Sequence, residues 1–158
     1  MTIEQRLARL EAIEAIRQLK HRYLAACDAK DATAMRACFV DGPMHIDYGP
    51  VGVFDNADAV AQIFKDLGCQ PHIVEMHHGS NPQIEVMDEQ HARAIWSLHY
   101  QQINTQTQVL TQLGAVYEDE YLLGAQGWRI NRTVCRPLST LVLELGEQAI
   151  KALVRGRP

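Results

Sequence analysis

The sequence predicts an α+β fold in which a cone-shaped, curved antiparallel or mixed β-sheet wraps around N-terminal helices. Two observations lead to this prediction. Apolar residues recur at helical spacing up to about residue 67, and from Pro71 onward hydrophobicity alternates with a period of two. Helices segregated to one side of a sheet form an α+β domain. At 158 residues the chain is most simply one domain, 1–158.

The first helix is predicted over residues 2–27, where apolar residues recur at steps of three or four. Thr2 suits the N-cap position, and Gln5 completes a capping box. Asp31 can cap a short second helix. Both helices therefore have a start signal as well as an apolar face.

Short β-pieces at 44–48 and 51–54 come next, followed by a third helix at about 56–67. Period-two alternation then predicts long strands near 72–87, 91–104, 107–123 and 127–136. A last helix is expected at about 140–154 because its apolar residues return to helical spacing. These residues are Leu141, Leu145, Ile150 and Leu153.

Composition and charge exclude several classes of partner. The formal net charge is −4 without a basic cluster, which argues against nucleic acid. The four cysteines show no CxxC spacing and no disulfide framework. No signal peptide or membrane-length apolar run is present. We therefore expect a cytoplasmic protein with reduced thiols and without a membrane partner.

Six segments together carry a family pattern, and they occur in the order that the family requires. The segments are Tyr23–Asp28, the second helix through Phe39, His77–Pro82, Ala94–Leu98, Gly114–Asp119 and Gly127–Ile130. They resemble the SnoaL-like branch of the nuclear transport factor 2 superfamily over about residues 8–137. This resemblance implies the cone-shaped α+β barrel. The fold hosts dehydratases, ketosteroid isomerases, polyketide cyclases, dioxygenase β-subunits and non-catalytic binding modules, so fold alone does not imply function.

Within this superfamily the chain resembles scytalone dehydratase and the bile-acid 7α-dehydratases. These enzymes remove water at the position β to a carbonyl without a metal or organic cofactor. The resemblance matches Tyr23 to their helix tyrosine, Asp28 to the aspartate shortly after it, and His77 to the histidine that starts the long strand. His99 lies where they place a histidine or an acid on the neighbouring strand.

Substrate-binding residues are expected around this centre. Arg136 matches an arginine that some relatives carry on the last long strand, with Arg132 as the alternative register. The other expected substrate-binding side chains are Tyr48, Trp96, Phe39 and Phe64. His99 shares one strand face with Ile95 and Ser97, whereas Trp96 lies on the opposite face, and the sequence leaves open which face looks to the interior.

The adjacent histidines His77 and His78 raise the same question of direction. Neighbouring strand residues point to opposite faces, so one of the two should look inward. The resemblance selects His77, unless a bulge in the segment Gly79–Pro82 changes the alternation. The chain has seven histidines but no ligand spacing such as HExxH, which argues against a metal site.

The resemblance implies a cofactor-independent lyase or isomerase of the dehydratase kind, acting by proton abstraction next to a carbonyl. The substrate would be a hydrophobic small molecule, polycyclic or aromatic. His77 would be the general base, Asp28 would fix its tautomer, and Tyr23 with His99 would donate to the enolate oxygen or the departing hydroxyl. The alternative is a non-catalytic binding or assembly module of the same fold, or a dioxygenase β-subunit-like partner.

A homodimer or homotrimer is also expected. Trp96, Leu98 and Tyr100 share one strand face, and together with the apolar stretch 138–145 they offer more apolar surface than one domain readily hides. Symmetric association is the usual way of covering such a surface.

Overall fold

A six-stranded sheet and three helices make up the fold in the computed structural model, which describes residues 1–146, 148–150 and 152–153. The helices are α1 (Ile3–Asp28), α2 (Ala32–Arg36) and α3 (Ala57–Ile63). The strands are β1 (His45–Asp47), β2 (Val53–Phe54), β3 (Ile73–Val86), β4 (His91–Asn104), β5 (Val109–Gly124) and β6 (Gly127–Glu144). A single turn of 3₁₀-helix, Gly49–Val51, links β1 to β2, and a π-helical turn, Phe64–Gly68, extends α3.

The strand order in the sheet is β2-β1-β6-β5-β4-β3. Strands β3 to β6 form an antiparallel meander, and β1 pairs with β6 in parallel, so the sheet is mixed. The sheet is curved and unclosed, and the helices lie against its concave face. This confirms the predicted α+β class.

Helix α1 begins where the sequence predicts, at a capping box formed by Thr2 and Gln5. Its second half is buried against the sheet, whereas Ile3, Leu7 and Leu10 in the first half are exposed. A Cβ atom added to Gly79 would lie 2.6 Å from Leu24 Cδ1, so the helix packs directly on the backbone of β3. This close approach places the end of α1 beside the middle of β3.

The pairing of β3 with β4 fixes which side chains face the helices. His77 is opposite Tyr100 and His78 is opposite His99, so the two histidines point to opposite faces. The register shifts between Ser80 and Gln83, where β3 contains one more residue than β4. Asn81 within this bulge has a positive φ of 50°.

The predicted C-terminal helix at 140–154 is wrong over its first part. Strand β6 continues to Glu144, and its residues 139–144 pair with 109–114 of β5. Residues 145, 146, 148–150, 152 and 153 form no helix, and positions 147, 151 and 154 lie outside the described residues. The apolar spacing fits both structures, and the available edge of β5 selects the strand.

The expectation that Trp96, Leu98 and Tyr100 offer apolar surface to a partner subunit also needs correction. Trp96 and Leu98 are buried under the helices, and Tyr100 faces the same concave side. Apolar side chains of β6 remain exposed at its C-terminal end, including Leu138 and Leu141. Homo-oligomerisation stays a prediction, as does a cytoplasmic location. None of the helices within the described residues has the length and apolar character needed to span a membrane.

Candidate active site

A cavity of about 680 Å³ lies between the concave face of the sheet and the helices. Most of its wall is aliphatic or aromatic, including Met35, Val60, Ile63, Phe64 and Leu98. This volume falls within the usual range for small-molecule sites, and apolar walls with a few polar groups are typical of them. The polar groups that reach this cavity therefore define the candidate site.

His77 and Asp28 form the first polar group. Asp28 is the last residue of α1, and its Oδ1 atom lies 2.7 Å from His77 Nδ1. The backbone N–H of His77 also donates to both carboxylate oxygens, at 3.0 and 3.2 Å. Because a carboxylate accepts hydrogen bonds, His77 Nδ1 is the donor in this contact, and Nε2 is the ring nitrogen left to accept a proton.

Two phenols form the second polar group. The hydroxyls of Tyr23, on α1, and Tyr48, after β1, are 2.8 Å apart. Burial raises the pKa of both phenols well above the ordinary value, so both keep their protons at neutral pH. The ring of Tyr117 meets both rings edge-on at centroid distances of 6.4 and 6.5 Å. One proton bridges the pair, and the second is available to a ligand oxygen.

A third group lies next to His77 on the concave face. The Tyr100 hydroxyl donates to Glu75 Oε1 at 2.7 Å and accepts from Gln102 Nε2 at 2.9 Å. Lys30 pairs with the other oxygen of Glu75. The rings of His77 and Tyr100 are in tilted contact, with centroids 4.7 Å apart. Sequence reasoning missed this cluster because its members come from different strands.

A buried ion pair supports the floor of the cavity. Lys20 Nζ lies 2.8 Å from Asp119 Oδ2, and both side chains are completely buried. Asp119 also accepts from Tyr121 and Thr133, at 2.7 Å each. Lys20 Nζ sits 3.4 Å from the ring centroid of Tyr117, a cation–π contact against a ring that lines the cavity.

Two thiols, Cys27 and Cys135, also line the cavity. Burial raises the pKa of Cys27 to about 12 and that of Cys135 to about 11. Both are therefore neutral thiols at physiological pH and weak nucleophiles. Within the part of the chain that the structure describes, no three His, Cys, Asp or Glu side chains are grouped so that they could hold a metal ion.

The structure separates some of the predicted residues from this site. His99 is exposed on the convex face, where its ring is 6.5 Å from that of His78, so the predicted grouping of His99 with Tyr23 is corrected. Arg136 is exposed and pairs with Glu118. Each of the two residues is the direct neighbour of an inward-facing residue on its strand, so its own side chain points to the convex face.

Of the other predicted substrate-binding residues, Tyr48 and Phe64 line the cavity. Trp96 instead lies in the core, and its Nε1 donates to the Tyr121 hydroxyl at 3.0 Å. Phe39 packs edge-on behind Tyr23, with ring centroids 5.5 Å apart. Neither Trp96 nor Phe39 is among the residues that line the cavity.

The curved sheet, the helices and the cavity between them define an α+β protein of the nuclear transport factor 2-like class. A model of the SnoaL-like domain matches residues 8–134, which is most of the chain. The protein therefore belongs to the SnoaL-like domain family, as its sequence predicted. No curated protein matches the chain.

Several solved structures share the fold at low sequence identity. A Novosphingobium aromaticivorans protein proposed to be a scytalone dehydratase aligns with a TM-score of 0.77 and 21% identity, over 85% of this chain and 89% of that one. The hexachlorocyclohexane dehydrochlorinase LinA type 2 aligns with a TM-score of 0.77 and 17% identity, over 87% and 92%. A Streptomyces avermitilis protein proposed to be a dehydratase aligns with a TM-score of 0.69 and 10% identity, over 80% of this chain and 95% of that one. At these identities the likeness shows the fold.

Proposed function

We propose that this protein is a cofactor-independent lyase or isomerase that removes a proton next to the carbonyl of a hydrophobic, polycyclic or aromatic small molecule. The observation that carries the proposal is the His77–Asp28 contact of 2.7 Å, made by a histidine that lines an apolar cavity. Imidazole takes up and releases protons near neutral pH, which suits a general base.

The reaction begins when His77 Nε2 takes a proton from the carbon next to the carbonyl. Asp28 holds the opposite ring nitrogen and so keeps Nε2 as the acceptor. The negative charge that develops on the carbonyl oxygen is stabilised by the free proton of the Tyr23–Tyr48 pair. The enolate then either loses a β-substituent or is reprotonated at another carbon.

The named activities of the structural neighbours support an elimination. Dehydratases release water and dehydrochlorinases release hydrogen chloride, as the names of those proteins state. An open cavity and a carboxylate bound to the inward histidine favour the enzyme over a non-catalytic binding module. A binding module of this fold needs the cavity but has no use for an oriented base.

Deuterium exchange tests the proton-abstraction step without knowledge of the natural substrate. We would incubate the protein with 1-tetralone and a panel of larger polycyclic ketones in D₂O, and follow the loss of the α-proton signals by NMR. The wild-type protein should accelerate exchange, and His77→Gln should abolish the acceleration. His78→Gln, which changes the adjacent residue on the opposite face, should leave the exchange rate unchanged.

Two outcomes would contradict the proposal. Exchange that is equally fast in His77→Gln and wild-type protein would exclude His77 as the base. Binding of the ketones without any accelerated exchange would instead support the non-catalytic binding module.

A further inference from the structure

The polar cluster of Glu75, Tyr100 and Gln102 has no part in the steps above, yet all three side chains line the cavity. Only 9% of the Glu75 side chain is exposed. A carboxylate so far removed from water costs free energy unless it is paired and hydrogen-bonded, and here Lys30 and Tyr100 supply its partners. Such a group in an apolar cavity points to a polar part of the ligand.

The hydrogen bonds within the cluster leave capacity for one more partner. The Tyr100 hydroxyl gives its proton to Glu75 and uses one lone pair for Gln102, so its second lone pair can accept. Each Glu75 oxygen can also accept again, and the Gln102 amide has a second N–H to donate. A ligand hydroxyl, which both donates and accepts, satisfies these groups. A halogen substituent offers no hydrogen and meets a carboxylate.

The strand register places this cluster and the tyrosine pair on opposite sides of His77. Tyr100 is level with His77, whereas Gln102 and Glu75 lie two residues further along in one direction. Tyr117, which contacts the Tyr23 and Tyr48 rings, is level with Trp96, four residues in the other direction. The base therefore lies between two sites that can bind oxygen.

We infer that Glu75, Tyr100 and Gln102 form a leaving-group subsite that binds the β-hydroxyl of a β-hydroxy carbonyl substrate, so that the reaction is the loss of water and not of hydrogen halide. This inference rests on the proposed function. In a β-hydroxy carbonyl compound the acidic carbon lies between the carbonyl carbon and the carbon that carries the hydroxyl. A base between two oxygen-binding sites fits that arrangement.

The elimination balances with the groups present. His77 Nε2 takes the α-proton, the C–H electron pair becomes the C=C bond, and the C–O bond breaks with its electron pair on oxygen. As the C–O bond breaks, the imidazolium of His77 returns the proton to the departing oxygen, which is hydrogen-bonded to Gln102 and leaves as water. The products are an α,β-unsaturated carbonyl compound and water, and His77 returns to its neutral form.

The first test compares two ligands that differ only in the hydroxyl group, 1-tetralone and 3-hydroxy-1-tetralone. Affinities are measured by isothermal titration calorimetry in His77→Gln protein, so that neither ligand is consumed. The hydroxyl should raise the affinity about 5- to 10-fold, as one or two modest hydrogen bonds would. Tyr100→Phe and Gln102→Leu should each reduce this advantage below about twofold, whereas Gln101→Leu, on the convex side of the same strand, should preserve it.

The second test concerns the leaving group. Wild-type protein should have a higher kcat/KM for 3-hydroxy-1-tetralone than for its 3-fluoro analogue, with formation of 1-naphthol followed by absorbance. Glu75→Gln should narrow the ratio of the two kcat/KM values about fivefold or more, because it removes the charge that disfavours a halide. A merely structural role of Glu75 would lower both values and leave their ratio unchanged.

Equal affinity for the two ketones, or an advantage that survives both Tyr100→Phe and Gln102→Leu, would overturn the subsite. An unchanged leaving-group ratio in Glu75→Gln would do the same. Deuterium exchange into 1-tetralone, which has no leaving group, separates this result from the proposed function. Accelerated deuterium exchange without tighter binding of 3-hydroxy-1-tetralone refutes only the leaving-group subsite. Tighter binding of 3-hydroxy-1-tetralone without accelerated exchange refutes His77 as the base. If no ketone of the panel binds, both proposals fail.

Discussion

Replacing Lys20 by methionine removes one charge from a pair in which both side chains are completely buried. Methionine has a similar length, so the main loss is the 2.8 Å contact between Nζ and Asp119 Oδ2. Removing one partner of a buried ion pair typically costs about 3–5 kcal/mol, because the other charge stays buried. Asp119 keeps the hydroxyl donors Tyr121 and Thr133, so we expect the lower limit, about 3 kcal/mol.

For a chain of this length a loss of that size corresponds to a fall in Tm of about 6–12 °C. Urea unfolding followed by circular dichroism measures the free energy of unfolding directly. Lys20→Met combined with Asp119→Asn should recover more than half of the loss, since no unpaired charge remains. Lys65→Met, at an exposed lysine, should change stability by less than about 0.5 kcal/mol. A loss below about 1 kcal/mol for Lys20→Met, or additive single and double variants, would refute the reasoning.

Three further predictions follow from single contacts. Asp28→Asn replaces a charge-assisted hydrogen bond worth about 1.5–3 kcal/mol. The rate of deuterium exchange into 1-tetralone, followed by NMR, should therefore fall about 10- to 100-fold. An unchanged rate would exclude Asp28 as the positioning residue. Burial raises the pKa of Cys27 to about 12, so its thiolate fraction, and with it alkylation by iodoacetamide, should rise tenfold for each pH unit while the fold persists. Mass spectrometry of the labelled peptide should show no plateau below about pH 10, where an ordinary thiol already levels off. Gly79→Ala brings a Cβ atom to 2.6 Å from Leu24 Cδ1 and should cost about 1–3 kcal/mol in urea unfolding, whereas Gly124→Ala, with open space around it, should be nearly neutral.

The elements that could be predicted from the sequence are those with local signals. The capping box of Thr2 and Gln5 fixed the start of α1, and period-two alternation located the four long strands. The end of β6 could not be predicted because the spacing of Leu141 and Leu145 also fits a helix. There the choice depends on backbone hydrogen bonds to β5, which no local pattern records.

The candidate site was predictable to the extent that family resemblance could supply it. The resemblance selected His77 and Asp28, and the structure places them 2.7 Å apart. The contact between Glu75 and Tyr100 joins two strands, and finding it requires knowledge of which face of each strand is concave. Lys20 did carry a signal, because it lies four residues after Ile16 on the apolar face of α1, where a solvated lysine does not fit.

The single extra residue between Ser80 and Gln83 changes which residues of β3 face the helices. On one side of it odd-numbered side chains face the helices, and on the other side even-numbered ones do. If the same residues paired with β4 without the bulge, one of the two sides would have to exchange faces. Because the chain carries two adjacent histidines, a shift of the first side would still deliver an imidazole to the cavity, now from His78. The bulge therefore determines which of the two adjacent histidines faces the cavity, without any change in histidine content.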